Sequence, residues 1–214
     1  VAGVAVQTGS DGKTDLAEET LPDLVQGDKL FEAGIADIDK LIRTFNALMR
    51  LAQIETGARQ SGFRSVELPS VVSEAVEFYQ HVAEQKGLGL TADMPERLDV
   101  TGDPSLIAQA VGNLLDNAIK YTPRGGRIGV ALSSALDGVA SIMVDDNGPG
   151  ISDAEKPNVT ARFYRGDPAR GTGGAGLGLS LVSAIAALHG GSLTLANNNP
   201  GLRARLTLQA ESRA

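Results

Sequence analysis

No cysteine occurs among the 214 residues, which excludes disulfides and any zinc site built on thiolates. Only two histidines are present, His81 and His189, too few for a His-rich metal centre. An excess of positive charge is missing as well: 19 Lys and Arg stand against 26 Asp and Glu, a formal net charge of −7. A duplex-binding surface would have to be a local basic patch working against that field, so no nucleic-acid partner is expected. No apolar run approaches the roughly 18 to 20 residues that cross a bilayer, and the opening VAGVAVQTGS lacks the basic flank of a signal peptide. No membrane contact is therefore expected within this segment. Lack of cysteine fits a reducing compartment, and a cytoplasmic location is the expectation. The chain starts at Val1 rather than Met and reads as a piece of a longer protein, whose own membrane anchoring stays open.

What is present is enough apolar material, 42%, to bury one ordinary domain plus a smaller element. After Gly34 nothing breaks a helix until about Thr56. Ile35, Ile38, Ile42, Phe45, Met49 and Ala52 step alternately by three and four, a heptad seam that Leu41 and Leu48 widen to suit a helical bundle. The segment ETGARQSGF, Glu55 to Phe63, carries two glycines and ends this helix, so a domain boundary is placed near residue 61. Residues 1–61 are too few to bury such a seam alone, and a homodimer through the N-terminal helices is expected.

Residues 62–214 mix helical and strand patterns, giving an α+β fold class. VVSEAVEFYQHVAEQKG reads as a helix closed by Gly87, GLGLTAD as a short strand, and Asp103 as the cap of a helix carrying Asn113 and Asn117. RIGVALSS and GVASIMVDD alternate apolar and polar residues around the turn signal Leu136-Asp137-Gly138, as a hairpin does. From about Ser152 to Ala175 no periodicity is visible, which inside a compact domain marks a functional lid or disorder. The helix LGLSLVSAIAALHG and the strands SLTLA and RARLTLQ follow.

Three segments carry chemistry. In NLLDNAIKYTP, Asn113, Asn117 and Lys120 share one helix face, while Ile107, Val111, Leu114 and Ala118 form a separate apolar stripe. One helix thus packs a core and also presents amides and an ammonium. In VDDNGPGI the carboxylates emerge where a strand pattern ends, beside a Gly-Pro-Gly turn. A carboxylate there can accept the exocyclic amine of adenine and would repel the carbonyl of guanine; the alternative is a plain turn after a strand. GTGGAGLGLSLV sets Gly174, Gly176 and Gly178 just ahead of a helix, where bare amides and the helix dipole can meet phosphate oxygens. Alone, that is a common glycine-rich loop.

In this order and spacing, NLLDNAIKYTP, DNGPGI, RFYRGD and GTGGAGLGL resemble the four ATP-binding boxes of the sensor histidine kinases of two-component signal transduction. These belong to a wider ATPase superfamily that includes gyrase, mismatch-repair proteins and the heat-shock chaperone. The likeness covers about residues 62–214. ADIDKLIRTFNALMRLAQIETG also resembles the second helix of the dimerisation and histidine-phosphotransfer domain that precedes the catalytic domain in these kinases. The resemblance implies a helical hairpin forming a dimeric bundle, then an α/β sandwich whose mixed sheet is covered on one face by helices. It implies ATP and Mg2+ as cofactors and a response regulator as partner.

Carried over by residue, the resemblance makes Asn117 the magnesium ligand, Asn113 a neighbour of the phosphates, and Lys120 and Tyr121 contacts to phosphate and sugar. Asp146 matches the adenine-binding acid, Gly148 and Gly150 line the base, and Ile151 adds apolar contact. Arg165 matches the arginine that reaches the terminal phosphate, and Gly174, Gly176, Leu177 and Gly178 the phosphate-binding glycine box. Asn113 and Arg165 are the implied catalytic pair. In hydrolytic relatives the residue four before the metal-binding asparagine is a glutamate that activates water; Asn113 is an amide and cannot act as a base near neutral pH. Transfer to a side chain is thereby favoured over hydrolysis.

Departures accompany the likeness. Thr160 and Ala161 replace the usual Phe and Glu ahead of the lid arginine, and PGLRARLTLQA lacks a second glycine and threonine often found there. No phosphoacceptor box of the His-Glu-Leu-Arg-Thr-Pro kind occurs. His81 lies in the catalytic domain's first helix rather than a dimerisation hairpin, and His189 reads as a helix cap. Two alternatives stay open: a dimeric scaffold that docks response regulators without kinase chemistry, and an anti-sigma-type protein kinase of the same superfamily.

Overall fold

The computed structural model describes residues 35, 38, 41, 42, 44–50, 52, 54, 62–134, 138–164 and 176–210. By compactness the chain divides into two units, Val1–Ile42 and Arg43–Ala214. In the first, the described positions Ile35, Ile38, Leu41 and Ile42 are helical and exposed. In the second, helix continues at 44–50, 52 and 54; Phe45 and Met49 remain exposed while Ile54 is buried in the core.

The second unit is built on a five-stranded mixed sheet. In chain order its elements are β1 (Arg64–Glu67), α1 (Leu68–Lys86), β2 (Gly89–Asp93), β3 (Asp99–Gly102), α2 (Pro104–Tyr121), β4 (Arg127–Ser134), β5 (Val139–Asp146), α3 (Gly178–Leu188), β6 (Leu193–Asn197) and β7 (Leu202–Gln209). The large sheet runs β2-β4-β5-β7-β6, with β2 parallel to β4 and the other pairs antiparallel. β1 and β3 form a separate antiparallel pair. Neither short strand was read from the sequence, since four residues with one or two buried positions leave too little alternation to detect.

Alternation decides which face of the sheet is covered. Ile128, Val130 and Leu132 of β4, Ala140, Ile142 and Val144 of β5, and Ala204, Leu206 and Leu208 of β7 are all buried, and they point to one side because strand side chains alternate. The three helices meet them there, with α2 central: α1 and α3 both pack on it. Its apolar stripe, Ile107, Val111, Leu114 and Ala118, is buried as the spacing predicts.

Local chemistry sets the ends of α2, which places the site. Asp103 accepts hydrogen bonds from Ser105 N at 2.9 Å and Leu106 N at 3.3 Å, capping the start. At the other end Lys86 Nζ donates to the carbonyls of Ile119 and of Lys120, the latter at 2.9 Å, so the last turn of α1 satisfies the open carbonyls of α2. α1 itself stops at Gly87, whose φ of 72° is the left-handed conformation that glycine adopts without a Cβ penalty.

The expected hairpin is β4–β5, in register from Ile128 opposite Asp146 to Ser134 opposite Ala140; its tip, residues 135–137, lies outside the described residues. Of the aperiodic stretch, 152–164 is turns, and 165–175 lies outside the described residues. Among the described residues no helix is long and apolar enough to cross a membrane.

Candidate nucleotide-binding site

The amides of α2 face the start of α3. A Cβ added to Gly178, the first residue of α3, would lie 3.3 Å from Asn113 Oδ1 and 3.6 Å from Asn117 Nδ2. The helix end, a bare glycine and two side-chain amides thus share one small space. Among the described residues no side chain caps the N-terminus of α3, a helix start suited to receive an anion. Asn113 Nδ2 donates to Gln109 O at 2.9 Å, which turns Oδ1 outward. Leu177, next to Gly178, is buried and anchors the turn.

Gly176 lies against the backbone of Phe163 and Tyr164. Its φ is 69°, and a Cβ there would stand 2.5 Å from Tyr164 O and 3.1 Å from Phe163 Cα. A side chain would have to push the lid backbone away. Phe163 itself holds φ 60°, a left-handed conformation that is costly for a bulky residue. Arg165 and Gly174, both assigned from the resemblance, lie outside the described residues.

The second half of the site is the end of β5. Asp146 is its last residue and is buried. Its Oδ1 accepts from Gly148 N at 2.8 Å and Leu202 N at 3.3 Å, whereas Oδ2 takes no hydrogen bond among the described residues. Burial raises the Asp146 pKa above the usual carboxylate value, and the nearby Asp145 charge adds to that; the two backbone donors oppose it. Gly148 is required by contact: a Cβ would sit 2.9 Å from Asp146 Oδ1 and 3.1 Å from Tyr121 O. Gly150 has φ 69° and would bring a Cβ within 2.9 Å of Gly201 O. Ile151 is half-buried beside it.

Neighbouring acids face opposite ways. Asp145 points to the other side of the strand and chelates Arg203, with Nε to Oδ1 at 2.9 Å and Nη2 to Oδ2 at 2.7 Å. It is spent in an ion pair, so of the two aspartates only Asp146 has an oxygen left for a ligand. Between the two halves, Tyr121 is 41% exposed, and the Lys120 ammonium lies 4.8 Å from the centre of its ring, within cation–π range.

The structure therefore brings Asn113, Asn117, Leu177 and Gly178 together at one end, and Asp146, Gly148 and Gly150 at the other, with the Tyr121 carbonyl close beside Gly148. Three features were not read from the sequence. Thr122 Oγ1 is a buried hydroxyl without a hydrogen-bond partner among the described residues. Asn198 Nδ2 donates to the Asp146 carbonyl at 2.8 Å. Gly201, at φ 112°, lies so close to that carbonyl that a Cβ would clash at 1.8 Å. In the sequence, Asn198 and Gly201 are only part of a turn-like NNNPG run 52 residues from Asp146.

His189 is the helix cap that was expected, and more. Nδ1 lies 2.7 Å from Ile185 O, Nε2 accepts from Asp103 N at 3.1 Å, and the ring stacks on Phe63 at 4.7 Å. Donation to Ile185 O and acceptance from Asp103 N define a neutral tautomer, and burial lowers the pKa accordingly. Its partners are structural, at the end of α3 remote from Gly178. His81, by contrast, is exposed on α1 with Glu84 3.9 Å away.

Among the described residues no cluster of three His, Cys, Asp or Glu could hold a metal ion. A divalent cation here would have to be bound by amide and phosphate oxygens, the donor set that suits magnesium.

A helix start open to an anion and a buried carboxylate with one open oxygen thus stand on one α/β scaffold. Residues 102–212 match the family described as histidine kinase-, DNA gyrase B-, and HSP90-like ATPase, and the chain belongs to that family. The sensor-like histidine kinase SenX3 of Mycolicibacterium smegmatis is 34% identical over 195 residues, covering 90% of this chain and 50% of that protein. The chain thus spans about half the length of that curated relative. The mycobacterial sensor histidine kinase MprB has a solved structure 32% identical to it, with a TM-score of 0.61 over 70% of this chain and 98% of that one. The ATP-binding domain of PrrB from Mycobacterium tuberculosis is 27% identical, with a TM-score of 0.58 over 71% and 99%.

Proposed function

We propose that this chain is the ATP-binding kinase core of a two-component sensor histidine kinase, transferring the terminal phosphate of Mg-ATP to a histidine that the chain itself does not carry. The observation that carries the reading is the pairing of Asn113 and Asn117 with the uncapped start of α3 at one end, and the open Oδ2 of Asp146 at the other. Phosphates fit the first and an exocyclic amine the second. Family membership and the histidine-kinase names of the relatives agree with it.

The roles are those that the family resemblance implies, and the chemistry of each side chain agrees with them. Asp146 Oδ2 accepts the adenine amine, with Gly148 and Gly150 lining the base and Ile151 against it. Asn117 offers a neutral amide oxygen to Mg2+, adding a hard ligand without negative charge beside a triphosphate. Bound there, the ion would screen phosphate charge. Asn113, Lys120, Tyr121, Gly174, Gly176, Leu177 and Gly178 surround the phosphates and sugar, and Arg165 stabilises the charge of the departing phosphoryl group. Asn113, an amide where a water-activating base would stand, biases the site toward transfer.

Residues 1–61 are assigned to the dimerisation and histidine-phosphotransfer helices and 62–214 to the catalytic domain. The exposed seam of Ile35, Ile38, Ile42, Phe45 and Met49 supports a homodimer through a helical bundle, and a response regulator is the phosphorelay partner. A cytoplasmic location, with the parent protein anchored at the inner membrane or not, suits a site that consumes ATP.

The test is transfer from labelled ATP to a separately supplied dimerisation domain bearing its histidine. Acid-labile label is expected on that domain and none on this chain alone. Absence of ATP binding by calorimetry would favour a scaffold, and stable label on His81 would overturn the assignment of the acceptor.

A further inference from the structure

We infer that Asn198 is a positioning residue for base recognition, its side chain standing in for the strand partner that Asp146 lacks on the β7 side. The inference rests on the nucleotide reading above and deepens it by naming what holds the base-reading acid in place.

The β5–β7 ladder ends one residue too early to hold Asp146. Its last pair is Asp145 opposite Arg203. The next N–H along β7, that of Leu202, is directed to the Asp146 carboxylate instead of its backbone. The Asp146 carbonyl is left for a side chain, and Asn198 Nδ2 donates to it at 2.8 Å. Gly201 lies against the same carbonyl, too close for any Cβ, so the turn presses on it without supplying a donor.

The other end of the Asn198 amide is engaged as well. Oδ1 accepts from Arg203 Nη2 at 3.3 Å, and Arg203 chelates Asp145. One side chain therefore fixes two adjacent acids, one on each side of the strand. Holding Arg203 on Asp145 also offsets the Asp145 charge, which otherwise disfavours ionisation of Asp146. The loop is tethered to the root of the lid too: Lys156 Nζ donates to Asn197 Oδ1 at 2.7 Å and to Asp153 Oδ1 at 2.6 Å.

The experiment compares ATP with inosine triphosphate, which differs at the base edge where a carbonyl replaces the amine. Binding of both to the intact chain is measured by calorimetry for wild type, Asp146→Asn, Asn198→Ala and Asn198→Asp. The Asp variant keeps an acceptor for Arg203 and removes the donor to the carbonyl. Both Asn198 variants should lose about fivefold or more of the ATP preference, the worth of one buried hydrogen bond, with inosine triphosphate affinity unchanged. That unchanged affinity also reports a folded protein, and if Asn198→Ala does not fold the Asp variant carries the test. Equal losses for both nucleotides would make Asn198 merely structural and overturn the inference. So would a wild-type ratio in a variant while Asp146→Asn abolishes the preference, leaving the base reading intact. A wild type that does not distinguish the two nucleotides overturns the base reading and this inference together.

Discussion

Asp146→Asn is the sharpest perturbation the site allows, because it changes one acceptor into a donor and leaves the shape alone. Oδ1 is held by Gly148 N and Leu202 N, so the amide of the variant places its oxygen there and its nitrogen at the Oδ2 position. An adenine amine then meets a donor instead of an acceptor. The site is buried, so the loss is one hydrogen bond to a charged group plus an unpaired donor, about 2 kcal/mol or roughly 30-fold in ATP affinity. Guanine nucleotides, which offer a carbonyl at that edge, should lose little. Calorimetric titration with both nucleotides reads the difference directly. Unchanged ATP affinity in a folded variant would refute the reasoning, because Asp145 is already committed to Arg203 and no second acid could take over.

The same residue sets a pH dependence. Because the folded-state pKa is raised, the folded protein binds this proton more readily than the unfolded chain. The contribution of Asp146 to stability is therefore greatest below the ordinary carboxylate value and is lost as pH rises through the elevated one. ATP binding runs the other way, weakening as acid protonates Asp146 through its elevated pKa, and Asp146→Asn should abolish that component of the binding–pH curve.

Three further outcomes are expected. Asn117→Ala removes a hard oxygen ligand and should weaken Mg-ATP binding about tenfold or more while metal-free nucleotide binding changes less; equal affinities would remove Asn117 from the metal site. Arg165→Ala should slow transfer to a supplied histidine domain by roughly tenfold or more at saturating ATP, with binding less affected, and a normal rate would assign that charge to another lid residue. His189, with its lowered pKa, is stabilising when neutral: thermal stability should be full above the ordinary imidazole value of about 6.5 and fall as pH drops below it. His189→Gln should flatten that slope in a melting series from pH 8 to about pH 5, and an unaltered slope would mean that other groups carry it.

Periodicity alone made the catalytic helix legible. Residues 107, 111, 114 and 118 had to face a core, so 113, 117 and 120 had to face elsewhere, and glycine runs at 148–150 and 174–178 marked where backbone would be bare. Local signals also placed Asp103 as a cap and Gly87 as a helix stop, since both act on atoms within four residues. The order of the motifs then pointed to the family. What the sequence could not contain was distance between segments. That Asn113 and Asn117 meet the start of α3 depends on how the two helices pack, while the neutralisation of Asp145 by Arg203, the open oxygen of Asp146 and the completion of β5 by Asn198 depend on how β7 returns beside β5. Strand pairing brings residues more than 50 positions apart to within a hydrogen bond, and only the folded chain decides which of two adjacent, chemically identical carboxylates is held in an ion pair and which keeps an open oxygen.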